Sequence, residues 1–201
     1  LYLAVGDQLA GVLGIEDPLR PEAKEAIAAL RERGITKIMM LTGDDTRTAA
    51  HVAAKLGLDG FHAQVLPQDK AKHVLELKAQ GRKVLMVGDG INDAPALTEA
   101  DIGCAVGGGS DIAIEAADIV LMKNDPLDVP RAIRLSRLTI TNIKENLFWA
   151  FCYNAICIPI AAGLLYVFDG TLLSPMLAGL AMSLSSVFVV GNALRLRSKK
   201  L

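Results

Sequence analysis

The chain has 201 residues, of which 52% are hydrophobic and 21% charged, and its formal net charge is -1. That length allows one or two domains. The apolar fraction excludes a disordered chain, and the near-zero charge argues against nucleic acid as a partner held by phosphate neutralisation. The averages hide a split. From position 146 to 194 the only charged side chain is Asp169, and the same stretch holds seven of the nine aromatic residues. A polar region followed by an apolar one is therefore expected, not a uniform globule. Cys104, Cys152 and Cys157 form neither a CxxC pair nor an even set, which points to a reducing compartment. The chain opens on Leu1 with no signal-peptide pattern, and a start other than Met points to a piece of something longer.

Residues 1–5 and 9–15 read as two strands around a Gly6-Asp7 turn. Asp17-Pro18 breaks the pattern and reads as a hinge. Pro21 suits a helix start, residues 22–33 carry Ala26, Ile27 and Leu30 at helical spacing, and Gly34 ends that helix. Strands and helices then alternate: strands at 35–41, 61–65, 83–87, 102–106 and 119–122, helices at 45–56, 68–79, 92–100 and 111–116. Apolar strands between amphipathic helices predict an α/β fold with a parallel sheet covered on both faces. Ligands in such sheets bind beyond the C-terminal strand ends, where Thr42-Gly43-Asp44 and Gly88-Asp89-Gly90-Ile91-Asn92-Asp93 fall. A helix over 127–145 follows, then apolar segments at 147–168 and 171–194. Each is long enough to span a bilayer. Basic residues flank their outer ends (Arg131, Arg134, Arg137 and Lys144 before, Arg195, Arg197, Lys199 and Lys200 after), and none lies in the Asp169-Gly170 turn. The bias predicts a transmembrane hairpin with the polar region and the C-terminus in the cytoplasm. A helical hairpin buried in a soluble core is the alternative.

The loop at 88–93 carries the strongest chemical signal. Gly88 and Gly90 allow a tight turn and close backbone approach to a ligand. Asp89 and Asp93 can converge on a hard cation such as magnesium, which prefers oxygen, and Asn92 offers an amide to an anion held there. The same run could serve only as an Asx-rich helix cap. At Thr42-Gly43-Asp44 a hydroxyl and backbone N–H groups can hold phosphate oxygens, or merely cap the next helix. Lys70, near the start of a helix, can offset the charge of a phosphoryl group or remain a solvated surface charge.

In this order, hydroxyl loop, lysine, then Gly-Asp-Gly-x-Asn-Asp, the set resembles the haloacid dehalogenase-like phosphoryl-transfer fold. Asp17-Pro18-Leu19-Arg20, Met40-Leu41-Thr42-Gly43-Asp44, the decapeptide 88–97 and the octapeptide 111–118 resemble, more narrowly, the C-terminal portion of a P-type ATPase. That resemblance implies a partial, Rossmann-like phosphorylation domain at 16–126, preceded at 1–15 by the last strands of a nucleotide-binding domain. A linker helix at 127–146, transmembrane helices at 147–168 and 171–194 and a cytoplasmic tail at 195–201 would follow. It implies that Asp89 and Asp93 bind Mg2+, with Asn92 completing the site. Thr42, Gly43 and Asp44 would hold the phosphoryl group, Lys70 would offset its charge, and Gly107 and Gly109 would shape the loop before residue 111. The implied reaction is transfer of the ATP γ-phosphoryl to an aspartate and hydrolysis of the acyl phosphate, coupled to transport. The family's nucleophile lies in an Asp-Lys-Thr-Gly motif, and this sequence has none. Alone, the chain is expected to be inactive, with the remainder of the pump as its partner. A membrane-anchored phosphatase of the same fold and a non-catalytic metal-binding pump fragment are the alternatives.

The apolar segments carry a second signal. Tyr153-Asn154 lies in the first, and Met182 and Ser186, four apart, share a face of the second. A thioether suits monovalent copper, and neither segment has an interior carboxylate for a dication. The pairing of Tyr-Asn with Met-x-x-Ser-Ser resembles copper-transporting members of the family. By that resemblance Tyr153, Asn154, Met182 and Ser186 contribute to Cu+ sites, with lipid and a copper chaperone as further partners; compact loops and a short tail point to a bacterial plasma membrane as location. The small residues of the second segment equally suit helix packing, and packing is the reading for Cys152 and Cys157.

Overall fold

The computed structural model describes residues 2–12, 18–107, 110–163, 166, 170 and 174–199. It divides into two compact units, Leu1–Pro130 and Arg131–Leu201. The first opens with the expected hairpin. Strands β1 (Tyr2–Val5) and β2 (Gln8–Val12) pair antiparallel, with a register shift between Leu3 and Ala4. Leu3, Val5, Leu9 and Val12 are exposed on it. Residues 13–15 of the second expected strand, and Asp17 of the expected hinge, lie outside the described residues.

Helix α1 (Ala23–Glu32) buries Ala26 and stops at Gly34, which is left-handed. Strand β3 (Met39–Leu41) is shorter than expected, and hydrogen bonding explains why. The Ile35 N–H returns to the Leu30 carbonyl of α1, and the Ile38 N–H donates to the Asp59 carboxylate, so neither amide enters a ladder. Helix α2 (Thr46–Leu56) follows, and β4 (Gly60–His62) pairs parallel with β3. Residues 63–65, expected to continue β4, turn back instead to bind the loop after β3.

Helix α3 (Pro67–Ala79) leads to β5 (Leu85–Gly88), a short 3-10 turn (Ile91–Asp93) and α4 (Ala94–Glu99). Strand β6 (Ile102–Ala105), helix α5 (Asp111–Glu115) and strand β7 (Ile119–Val120) complete the unit. Strands β5, β6 and β7 are parallel neighbours in that order. The core is built mainly of small side chains, among them Ala94, Ala96, Cys104, Ala105 and Ala113, around Leu97 and Val74. Burial pushes the Cys104 thiol up to about 11, so it packs as an unreactive apolar group.

The sequence pattern predicts one continuous parallel sheet. The described residues form two, β3-β4 and β5-β6-β7. Within them β3 pairs only with β4, and β5 only with β6, so each leaves one edge without a strand.

The second unit differs from expectation more. Helix α6 runs unbroken over Asp128–Ala161, across the expected boundary between a linker helix and an apolar segment, and α7 covers Pro175–Arg197. The expected membrane spans are not found: among the described residues no helix is long and apolar enough to cross a membrane. Charge persists along α6 to Glu145, and the helix ends at Ala161, so its uncharged part is too short to cross a bilayer. Residues 164, 165, 167–169 and 171–173 of the expected hairpin lie outside the described residues. Within this unit Asn142 donates to the Asn192 carbonyl (2.9 Å), and the Asn192 amide donates to Asn146 Oδ1 (2.9 Å). Arg195 pairs with Glu145 at 2.9 Å. Phe148, Trp149, Phe151, Ile156, Ile158 and Phe188 remain exposed.

Candidate functional site

Both expected loops sit at the C-terminal ends of parallel strands. The first follows β3. The Thr42 N–H donates to the His62 carbonyl (3.0 Å), and the Thr42 carbonyl accepts from Val65 N–H (3.0 Å). The Gln64 N–H donates to the Asp44 carbonyl (2.9 Å), with Gln64 in the left-handed region at φ 54. Thr42 Oγ1 donates to Asp44 Oδ2 (2.8 Å) and accepts from the Asp44 N–H (3.1 Å). The loop is therefore clasped by the segment entering α3, and Thr42 is half-buried while Gly43 and Asp44 face solvent. Asp45 then caps α2, accepting from the Arg47 and Thr48 amides and the Thr48 hydroxyl. The Thr48 hydroxyl foremost, then these amides, hold its carboxyl below the usual carboxylate value.

The second loop follows β5. Asp93 is only 8% exposed. Its Oδ1 accepts from Lys70 Nζ at 2.7 Å, and its Oδ2 accepts from Gly90 N–H at 3.3 Å. The Asp93 N–H returns to the Gly90 carbonyl (3.0 Å), closing the turn. Only glycine fits at 88, because a Cβ there would lie 2.6 Å from the Asp93 Cβ. Asp89 and Asn92 are exposed. The Asp89 carbonyl accepts from Ser110 N–H (3.2 Å), and Ser110 caps α5 through its hydroxyl. Gly107 lies against residue 122, where a Cβ would meet the Met122 carbonyl carbon at 2.5 Å; Gly109 lies outside the described residues.

Lys70 joins the two loops. It stands in the first turn of α3, a helix entered directly from Val65 and Leu66, so one end of the segment grips Thr42 and the other reaches Asp93. Its side chain is 16% exposed, so the pair is part-buried but not sealed from solvent. Among the described residues no three His, Cys, Asp or Glu side chains converge as a protein metal cage. Two carboxylates from one loop suit a cation that keeps several waters and takes one or two protein oxygens, as Mg2+ does. Asp89 is the open member, and Asp93 already serves Lys70 and the turn.

The second unit carries the other candidates. Tyr153 is half-buried, one turn before Cys157, and Asn154 and Ser186 are exposed. The Met182 side chain lies outside what the structure describes. Sequence reasoning misses the Val65 and Ser110 amides, since backbone groups leave no residue-type signal. It also misses a stack between His62 and His73, whose ring centroids are 4.1 Å apart.

A family model for haloacid dehalogenase-like hydrolases matches residues 2–101. "Copper-transporting ATPase 1" of Rhizobium meliloti (strain 1021) is 57% identical over 98% of this chain and 24% of its own length. The "Silver exporting P-type ATPase" of Salmonella typhimurium is 51% identical over 100% of the chain and 24% of its own length. A crystal structure of a zinc-transporting PIB-type ATPase superposes with a TM-score of 0.82 and 40% identity, over 97% of this chain and 31% of that one. The chain thus spans about a quarter of the length of the curated relatives it matches. With this similarity running along nearly all of its residues, the chain belongs to the heavy-metal-transporting P-type ATPases, on a haloacid dehalogenase-like fold.

Proposed function

We propose that this chain is the C-terminal part of a copper(I)-transporting ATPase, and that it supplies the groups which hold Mg2+ and the phosphoryl group during transfer from ATP to an aspartate elsewhere in the pump. The observation that carries this reading is the Lys70–Asp93 pair at 2.7 Å, which joins the hydroxyl loop to the Gly-Asp-Gly loop through one helix. The Gly43 amide, and the Thr42 hydroxyl once it turns from Asp44 Oδ2, hold phosphoryl oxygens, while the Asp44 N–H keeps the Thr42 oxygen in place. Lys70 offsets the charge that develops on them, and the Asn92 amide donates to the same anion. Asp89, with Asp93 behind it, holds Mg2+, which when bound neutralises phosphate charge. Asp93 also fixes the Lys70 ammonium and the Gly90 amide. The nucleophilic carboxylate comes from the remainder of the pump. The edges of β3 and β5 that carry no strand among the described residues suit a parallel strand that delivers it between Thr42 and Asp89. The reaction then transfers the γ-phosphoryl to that carboxylate, releases ADP and hydrolyses the acyl phosphate.

Residues 1–15 belong to the nucleotide-binding domain in this reading, and 16–126 to the phosphorylation domain. The exposed aromatic and aliphatic side chains of α6 and α7 are covered by lipid and by other helices of the pump, in a bacterial plasma membrane with the first unit cytoplasmic. Copper(I) passes Tyr153, Asn154, Met182 and Ser186 and is delivered by a chaperone. The relatives are named for different ions, copper, silver and zinc. The lack of an interior carboxylate and the presence of a thioether in the apolar segments favour the soft monovalent ions. ATP hydrolysis by the pump that contains this chain is expected to rise with Cu+ and stay flat with Zn2+; stimulation by Zn2+ alone would remove the copper assignment.

A further inference from the structure

We propose that His62 and His73 form a proton-sensitive positioning pair, coupling the strand that holds the Thr42 loop to the helix that carries Lys70. The functional consequence of this coupling rests on the phosphoryl-transfer reading; the coupling itself does not.

The two rings stack at a centroid separation of 4.1 Å and an interplanar angle of 22°. His62 ends β4, and its carbonyl accepts the Thr42 N–H at 3.0 Å. His73 lies three residues beyond Lys70 in α3, whose ammonium holds Asp93. The stack therefore bolts together two elements that each position one phosphate-handling group. Face-to-face imidazoles tolerate one proton between them, but two imidazolium charges at this separation repel.

The surrounding charges set how the pair fills. Glu76 Oε2 lies 3.5 Å from His73 Nδ1. Partial burial, then the His73 charge, hold His62 below the ordinary histidine value, with Glu76 opposing and Lys37 adding to the depression. Of the elements packed on β4 and α3, β3 has no charged residue, α2 carries Arg47, His51 and Lys55, the 91–93 turn carries Asp93, and α4 carries Glu99. The groups that act on His62 are His73, Glu76 and Lys37.

As pH falls through the histidine range the second proton forces the rings apart. β4 and α3 then lose their common register, and Thr42 and Lys70 are no longer held on one phosphate. At neutral pH the stack is intact and the site is set.

An NMR pH titration of the full chain, without Mg2+ or phosphate, tests this. His62 should titrate below 6.5, and the Thr42 and Lys70 amide resonances should move with the same midpoint. In His73→Gln the His62 midpoint should rise toward 6.5 and the two amides should lose that excursion. His73→Phe, which keeps an aromatic face but no second titration, should do the same and covers the case in which the Gln variant unfolds. Thr42 and Lys70 amides that stay flat in the wild-type chain, or move equally in both variants, would overturn the coupling. Because no phosphate or nucleotide is present, that failure would leave the phosphoryl-transfer reading standing. A failed phosphorylation test would likewise leave the coupling standing.

Discussion

Asp93 combines two tasks at one buried position: it closes the turn onto Gly90 and it neutralises Lys70. In Asp93→Asn the side chain keeps its size but Lys70 loses its counter-charge in a site that water reaches poorly. A loss of about 2 kcal/mol is expected in urea unfolding, within the range for leaving one member of a part-buried pair uncompensated. Asn92 makes the contrast. It is exposed, so Asn92→Ala should leave the unfolding free energy within about 0.5 kcal/mol while weakening phosphate handling in the pump. Gly88→Ala places a methyl 2.6 Å from the Asp93 Cβ. Pushing the Asp93 backbone away should cost about 1–3 kcal/mol in the same unfolding measurement, and the Lys70–Asp93 contact should lengthen.

At the scale of elements, caps and side-chain ties decide where helices and strands begin. Asp45 accepts three hydrogen bonds at the start of α2, and its folded-state carboxyl sits below the usual 3.8. A depressed folded value means the cap's contribution is complete above 3.8 and disappears as pH falls through that lower value. Asp45→Ala should therefore melt earlier than the wild-type chain at pH 7, and the gap should close in strong acid; a gap unchanged by pH would refute the charged cap. The helices of the first unit are legible in sequence for this reason. Pro21 and Gly34 bracket α1 in the sequence, and the structure adds caps at Asp45 and Ser110 and a left-handed Gly57 after α2. Strand ends are less legible, because Asp59 and Asp101 take the Ile38 and Val84 amides that a ladder would use. No periodicity records a side chain reaching back some twenty residues. The segment after β4 reads as strand in sequence, yet the buried Val65 gives its amide to Thr42. Helix α6 reads as two pieces, divided at the polar-to-apolar change near residue 146, where backbone helicity continues unbroken.

On the scale of the whole molecule, the order of motifs makes the candidate site legible before any distance is known. Thr42, Lys70 and Gly88–Asp93 lie at strand ends or the helix start between them, as loops of a parallel α/β sheet must. The division of the sheet is not legible, since each strand reads as a normal strand whether or not its neighbour is present. The open edges of β3 and β5 among the described residues, the exposed apolar side chains of β1 and β2, and those of α6 and α7 are all surfaces that suit coverage by other parts of a longer pump. These surfaces fit a chain spanning about a quarter of its relatives. The central claim is that this chain handles the phosphoryl group but does not accept it. Acid-quenched labelling with γ-labelled ATP tests that most directly. The isolated chain should take up no hydroxylamine-sensitive label. The pump that contains it should label, and Lys70→Ala or Asp89→Asn should cut the label at least about tenfold. Hydroxylamine-sensitive label on the isolated chain, or undiminished label in both pump variants, would contradict the account.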